Sequence, residues 1–461
     1  MTNKKVAMSG PDAAWLRMDS PTNFMMITSI MMFDEVLTLD EVKTLLEERF
    51  LLFDRFRQRV LDRNGTPHWQ DDPYFDLDRH IHRVALPAPG GQEELQAMVS
   101  DLMCTPLDFS KPLWQIHLVE NYGTGCALIW RIHHCIADGI ALTYVMMSTA
   151  DEYFDPSKIP ARKKPDEGGL ADIAGPALKA VSNAISSTVK VAGAVLNEGK
   201  ELLLHPSHVL DLTKQGMSLG AATSKILLMP ADSDTLFKGE LGVMKRAAWS
   251  QPVPLQAVKD IKKDVDAKVN DVLMSAVTGA LRRYLIAHDQ PVEDVEIRAS
   301  IPVNLRPLEE AYKLGNQFGL VFLSLPVGIE DPRERLLEIK RRMDRIKHSS
   351  EAIVTLGILQ ALGHAPKRVE DQVVDILSTK ASAVMTNVPG PRERLHLGGK
   401  ALRHIMFWVP RAGAVSMGIS IISYVGEVML GVATDARLVA NPEAIIEGFH
   451  AEFDALQEAF A

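Results

Sequence analysis

The sequence predicts two α/β domains joined by a long crossover, and three observations carry that prediction. At 461 residues the chain exceeds what one hydrophobic core ordinarily serves. Short apolar, charge-free runs of strand length alternate with longer stretches whose apolar residues recur every three or four positions, both early and late in the chain. Between these regions the composition changes: Pro156, Pro160, the run Arg162-Lys163-Lys164-Pro165 and the pair Gly168-Gly169 read as a linker. The division that follows is a first domain over 1–154, a crossover over 155–242 and a second domain over 243–461.

Composition narrows the class. Hydrophobic residues at 46% and charged residues at 24% are those of a globular chain rather than a disordered one. A net charge of −9 argues against nucleic-acid binding, which calls for a basic domain. Cys104, Cys126 and Cys135 form neither a disulfide framework nor a metal-ligand spacing, so a reducing cytoplasm is expected. Residues 1–15 show no secretory pattern. The longest apolar stretch, 412–426, is short and broken by Gly and Ser, so membrane contact would be peripheral.

In chain order, residues 25–33 suit a buried strand rich in methionine, and 39–52 follow a helical period. Residues 76–84 look like a surface strand or turn, with His80 and His82 on a solvated edge because no third metal ligand stands near them. Residues 126–130 form a buried strand bounded by Gly123 and Gly125, and helix formers take over from 140 to 153. In the crossover, Leu178, Val181, Ile185, Val189, Ala192 and Leu196 make an amphipathic segment. It fits either a membrane surface or a helix packed between the domains, and its few lysines and lack of aromatic residues favour the second.

In the second domain, Asn270-Asp271 opens a helix whose stripe is Leu273, Val277, Ala280, Leu281, Tyr284 and Leu285; both residue types are favoured at helix caps. A strand over 297–303 runs into Asn304-Leu305-Arg306-Pro307. Asp331-Pro332 starts a basic helix with Leu336, Ile339, Met343 and Ile346 inward. A buried strand over 381–385 is closed by the turn at 387–391. A hairpin turns about Gly426-Glu427, and an amphipathic helix over 442–460 ends the chain.

The chemistry concentrates in Arg131-Ile132-His133-His134-Cys135-Ile136-Ala137-Asp138-Gly139, where a strand ends and a helix begins. A neutral imidazole there, with its tautomer fixed, can take a proton from a hydroxyl near pH 7. Asp138 is as well suited to bracing the loop against a distant arginine as to relaying a proton, and Gly139 lets the chain turn without a side chain. The plain alternatives are buried histidines satisfied by backbone, or metal ligands. Adjacent residues on a strand point to opposite sides, which disfavours chelation of one ion by His133 and His134. Cys135 raises a thiol nucleophile, against which apolar packing is the simpler reading.

His-His-Cys-Ile-Ala-Asp-Gly matches the HHxxxDG signature of the wax ester synthase/diacylglycerol acyltransferase family, within the chloramphenicol-acetyltransferase-like, acyl-CoA-dependent superfamily. Pro112-Leu113-Trp114 resembles that family's PLW element, Asn270-Asp271 its ND element, and Thr386-Asn387-Val388-Pro389-Gly390-Pro391 its SNVPGP element with Thr in place of Ser. The segment 418–424 is similar to its late core strand. These landmarks follow the family's order over most of the chain.

The resemblance implies two chloramphenicol-acetyltransferase-like domains, each a mixed β-sheet with helices, joined by a partly helical crossover, with the active site between them. It implies direct transfer of an acyl group from acyl-CoA to a long-chain alcohol or diacylglycerol, a storage-lipid reaction, with no cofactor beyond the acyl-CoA substrate. His134 would be the general base, with His133 supporting it and Asp138 paired with Arg306. Gly139 and Asn270 would help to order the site, and Asn387, Pro389 and Gly390 would line the acyl-CoA channel. The basic helix after Pro332 would be a solvated face or an attractor of coenzyme A phosphates. The methionine-rich strand would lie under an acyl chain, and Ser420 or Ser423 could donate to an oxyanion. A cytoplasmic protein, peripheral on the inner membrane or on lipid inclusions, follows. The rival readings are an acyltransferase that esterifies a polyketide or carrier-bound acceptor, a lipid-binding protein without catalysis, and a metal hydrolase.

Overall fold

A computed structural model describes residues 5–155 and 226–460, apart from positions 64, 264, 308, 309, 311, 348 and 350. The amphipathic segment of the crossover lies outside the described residues.

The first half begins with β1 (Lys5–Ala7) and α1 (Gly10–Arg17), whose start is set by the Ser9 hydroxyl accepting from Asp12 N and by Pro11 in the first turn. β2 (Met26–Phe33) follows. α2 (Leu39–Glu48) is opened by a Thr38–Glu41 capping box and ends four residues before the periodicity predicts, the next turns being 3₁₀. β3 (Gln58–Arg63) and β4 (Thr66–Asp71) pair with β1 in a small sheet. β5 (Ile81–Ala85), α3 (Gln92–Met103), β6 (Trp114–Tyr122), β7 (Gly125–His133) and α4 (Gly139–Thr149) complete this half.

The second half contains β8 (Lys245–Trp249), β9 (Val253–Pro254), α5 (Leu255–Lys263), α6 (Val269–Ala287), β10 (Ile297–Asn304) and β11 (Phe318–Leu325). Three helices follow: α7 (Pro332–Lys347), α8 (Glu351–Leu362) and α9 (Lys367–Ser378). β12 (Ala383–Pro389), β13 (His396–Leu397), β14 (Lys400–Trp408), β15 (Met417–Tyr424), β16 (Glu427–Asp435) and α10 (Glu443–Ala459) close the chain.

Two large mixed sheets result, in the orders β13-β14-β2-β7-β6-β5 and β11-β10-β12-β15-β16-β8. Every residue of β7 is buried, as in a strand covered on both faces; its apolar run over 126–130 is followed by buried Arg131, whose Nη1 donates to Gln115 Oε1 at 2.7 Å. β13 and β14 belong to the second domain by sequence position, yet β14 pairs antiparallel with β2 of the first sheet. Met406 and Trp408 of β14 pack with Ile30 and Met32 of β2, Trp249 of β8 and Ile422 and Met429 of the second sheet. This apolar cluster ties the halves together, and each such side chain contributes about 1.5–3 kcal/mol.

Two local expectations change. His80 is buried rather than solvated: its ring stacks between Phe75 and Trp114, and Nδ1 donates to the Trp114 carbonyl at 2.8 Å. Polar sequence around it hid an aromatic sandwich built from residues about 35 positions apart. The end of the crossover, which carries no readable period, is tied down after Ile226: Asp232 accepts from Arg298 N and Ser382 Oγ, and Lys238 Nζ donates to the carbonyls of Ser378, Thr379 and Ala381. Among the described residues no helix is long and apolar enough to cross a membrane.

Candidate active site

The turn from β7 into α4 presents the two histidines. His133 N donates to the Leu113 carbonyl at 3.0 Å, so the Pro112-Leu113-Trp114 element buttresses the loop from one side. His134 N donates to the Met25 carbonyl at 2.7 Å on the other. His133 turns away from the cavity: its Nδ1 accepts from Cys135 N at 3.2 Å, Nε2 lies 3.6 Å from Asp19 Oδ1, and Phe109 meets the ring edge-on. Cys135 is fully buried, and burial holds its thiol well above the usual range, which fits packing rather than nucleophilic attack.

Asp138 does not touch His134 as a relay. Its Oδ1 caps α4 by accepting from Ala141 N at 2.9 Å. Oδ2 accepts from Arg306 Nη2 and from Gln317 N, both at 2.9 Å. The ion pair expected between Asp138 and Arg306 is thus present and sealed from solvent.

The remaining contacts form a clamp from the second half. Gly315 N donates to the Ile136 carbonyl, and Asp138 N donates to the Gly315 carbonyl, which Arg306 Nη2 also reaches. Gly315 has φ +105°, a conformation that side-chain-bearing residues rarely adopt. Asn316 Nδ2 donates at 2.8 Å to both the His134 carbonyl and Asp12 Oδ1.

The His134 ring is 4% exposed, stacks on Trp15 with centroids 4.4 Å apart and lies 5.5 Å from Phe318. Burial pushes its pKa down to about 4, partly offset by the Asp138 charge and by the hydrogen bonding of its own carbonyl and of Asn316. The imidazole is therefore neutral at pH 7. Its Nδ1 is sealed, which leaves Nε2 to open into a cavity of about 380 Å³ lined from both halves. Ile27, Ser29 and Met31 of the methionine-rich strand form part of one wall, with Leu142 and Met146 of α4 beside them. Phe318 and Leu320 of β11 with Ile358 and Leu359 of α8 form another.

The other predicted residues divide into those that line the cavity and those that do not. Gly139 lines the cavity, but it is the first residue of α4 with ordinary helical backbone, so its missing side chain opens the cavity rather than permitting a turn. Asn387 and Gly390 line the cavity. A Cβ on Gly390 would sit 2.3 Å from the Ser423 carbonyl oxygen, so only glycine fits that approach. Pro389, between them, is exposed and does not line it. Asn270 sits one layer out, accepting from Asn387 Nδ2 at 3.0 Å, while capping of α6 falls to Asp271, which accepts from Lys268 N. Ser420 is buried and Ser423 half-buried, and neither lines the cavity. The basic helix α7 is largely neutralised within the second half: Arg341 and Arg342 pair with Glu338, Lys347 with Asp344 and Arg335 with Glu452.

Sequence reading missed Trp15, Asp12, Gly315, Asn316 and Gln317. The first two sit on a short helix with little apolar period, and the last three lie in a loop whose only local signal is one glycine.

Matches to known proteins agree with this geometry. The family model for the wax ester synthase/diacylglycerol acyltransferase catalytic domain covers residues 8–273, and that for the family's C-terminal domain covers 314–457. The probable diacylglycerol O-acyltransferase of Mycobacterium tuberculosis H37Rv is 26% identical over 389 residues, 83% of this chain and 80% of that protein. The wax ester synthase/diacylglycerol acyltransferase from Marinobacter aquaeolei VT8 superposes with a TM-score of 0.69 at 20% identity, over 99% of this chain and 100% of that one. The first condensation domain of the calcium-dependent antibiotic synthetase, with a substrate analogue, gives 0.60 at 13% identity over 99% and 98%. These two structural likenesses establish the two-domain chloramphenicol-acetyltransferase-like fold. The chain belongs to the wax ester synthase/diacylglycerol acyltransferase family, a family of acyltransferases.

Proposed function

We propose that this protein transfers a long-chain acyl group from acyl-CoA directly to the hydroxyl of a long-chain alcohol or diacylglycerol, with His134 as general base. The observation that carries the reading is a neutral, immobilised imidazole whose one accessible nitrogen opens into an apolar cavity. His134 Nε2 takes the hydroxyl proton as the oxygen attacks the thioester carbon. The C–S bond then breaks, and the proton passes from Nε2 to the coenzyme A sulfur. Asp138 and Arg306 hold the loop, and His133 supports it through Cys135 N. Asn387 spends one amide N–H on Asn270 and keeps the other for a substrate oxygen on the facing wall. The named relatives favour diacylglycerol among the acceptors. Both acceptor classes partition into lipid, so the reading places the protein in the cytoplasm at the surface of the inner membrane or of lipid inclusions.

The test is coenzyme A release from palmitoyl-CoA with hexadecanol, dipalmitoylglycerol or no acceptor. Acceptor-dependent release is expected for the wild type, and His134→Ala should lower it by about 10²–10⁴-fold without loss of fold. Release without acceptor would mark a thioesterase. Silence with every acceptor would turn attention to a carrier-bound one.

A further inference from the structure

The donor named above ends in a diphosphate and a phosphomonoester, and ionised phosphates do not enter an apolar cavity. They have to rest on its rim. The protein carries 59 carboxylates against 50 lysines and arginines, a balance that repels such an anion unless local cations receive it. The basic helix α7 spends most of its charge on carboxylates of its own half, so the receiving cations have to be sought elsewhere.

The wall residues that reach solvent mark the opening. Gly139 and Asn304 are exposed, and Thr143, Met147, Gly390 and Pro391 are half-buried. The cavity therefore opens between α4 and the ends of β10 and β12, which run parallel with Ser300 beside Val384. The turn that follows β12 borders this opening and is pinned in three places. Gly390 N donates to the Ser423 carbonyl at 2.8 Å, Val425 N to the Pro391 carbonyl at 3.1 Å, and Leu395 N to the buried Tyr424 hydroxyl at 2.9 Å. Pro391 and Leu395 both line the cavity, whereas the three residues between them, Arg392, Glu393 and Arg394, are exposed on its outer side.

The cations of the adjoining β13–β14 hairpin are occupied: His396 lies against Glu152, Lys400 against Glu35 and Arg403 against Asp34. Among the described residues Arg392 and Arg394 have no carboxylate partner of this kind. A guanidinium is a rigid fork of N–H donors that meets two phosphate oxygens at once. Two of them on one anchored loop give up little backbone freedom when a ligand arrives.

We propose that Arg392 and Arg394 receive the phosphates of coenzyme A at the rim while the acyl chain lies in the cavity, and that they set the preference for a nucleotide-bearing donor. They touch no reacting atom, and Glu393 between them opposes the hold. The proposal rests on acyl-CoA being the donor.

The experiment compares palmitoyl-CoA with palmitoyl-pantetheine, which lacks the phosphates, as donors to one acceptor. Arg392→Ala/Arg394→Ala is expected to raise KM for palmitoyl-CoA by about tenfold with kcat within about twofold, because a lost rim charge acts on encounter rather than on chemistry. KM for palmitoyl-pantetheine should stay within about twofold of wild type. Added salt should raise the wild-type KM for palmitoyl-CoA and hardly move that of the double variant. Glu393→Gln should lower it, and Arg403→Ala, which removes a paired cation, should leave both donors alone. The proposal is overturned if the double variant keeps the wild-type KM for palmitoyl-CoA, or if KM rises equally for both donors. It also fails if Lys268→Ala, two residues before Asn270, carries the loss and the double variant does not. A wild type that transfers no palmitoyl group from coenzyme A would sink the reading of function instead. Calorimetry with free coenzyme A then decides: binding lost in the double variant keeps the arginine site, and binding absent from the wild type or equal in both removes it.

Discussion

Arg306 and Arg335 are both sealed arginines, 6% and 0% exposed, each paired with a carboxylate far along the chain. Arg306 crosses from the second half to Asp138 in the first, and its Nη2 also reaches the Gly315 carbonyl. Arg335 stays within the second half, where Glu452 of α10 binds it together with Arg283 and where its own Nη1 takes the carbonyls of Ile329 and Glu330. Burial and charge are alike in the two places, so neither marks function. What differs is the load on the partner: Asp138 caps the helix that follows His134, whereas Glu452 joins three helices of a scaffold.

That contrast can be broken by substitution. Arg306→Ala leaves a buried carboxylate unpaired and loosens the clamp. It should cost about 3–5 kcal/mol of stability and lower kcat of the folded fraction by at least about tenfold, read by denaturant melts beside coenzyme A release. Arg335→Ala should cost a similar about 3–5 kcal/mol, with kcat per folded molecule unchanged. Equal losses of kcat in the two variants would erase the distinction.

A smaller effect follows from pH. The folded-state pKa values of His134 and His117 are held down to about 4 and about 3, chiefly by burial, whereas an unfolded histidine titrates near 6.5. Between about pH 6.5 and 4 the unfolded chain therefore binds more protons, so stability should fall as pH is lowered through that window. His134→Gln should flatten the slope there. An unchanged slope would mean that the imidazole takes up its proton in the folded protein as readily as in the unfolded chain.

The two arginines also mark what residue order could reveal. Arg306 was found because a strand leading into Asn-Leu-Arg-Pro resembles a family landmark, and Asp138 because it stands in a motif of seven residues. Arg335 read as one cation among many on a basic helix, since its partner, 117 positions on, leaves no trace in the local pattern. Asn316 and Asp12 were missed for the same reason. They are single polar residues in a loop and a short helix, and nothing in their neighbourhood separates them from surface polarity. Asn270 was legible from a matching element, and its side chain meets Asn387, which lines the cavity, rather than His134 itself.

From the sequence by itself came the two-domain α/β class, the strand–turn–helix that carries His133 and His134, the bracing role open to Asp138 and the family. These depend on interactions between residues a few positions apart or on motifs kept in order, and such information lies along the chain. Only the tertiary structure decided that β14 completes the first sheet, that α7 spends most of its charge internally and that Pro389 faces solvent. It alone brought Asp12, Trp15 and Gly315–Gln317 to His134. Those outcomes are set by which strands pair and which faces are buried across hundreds of residues, and that choice is made by the packing of the whole molecule rather than by any segment of it.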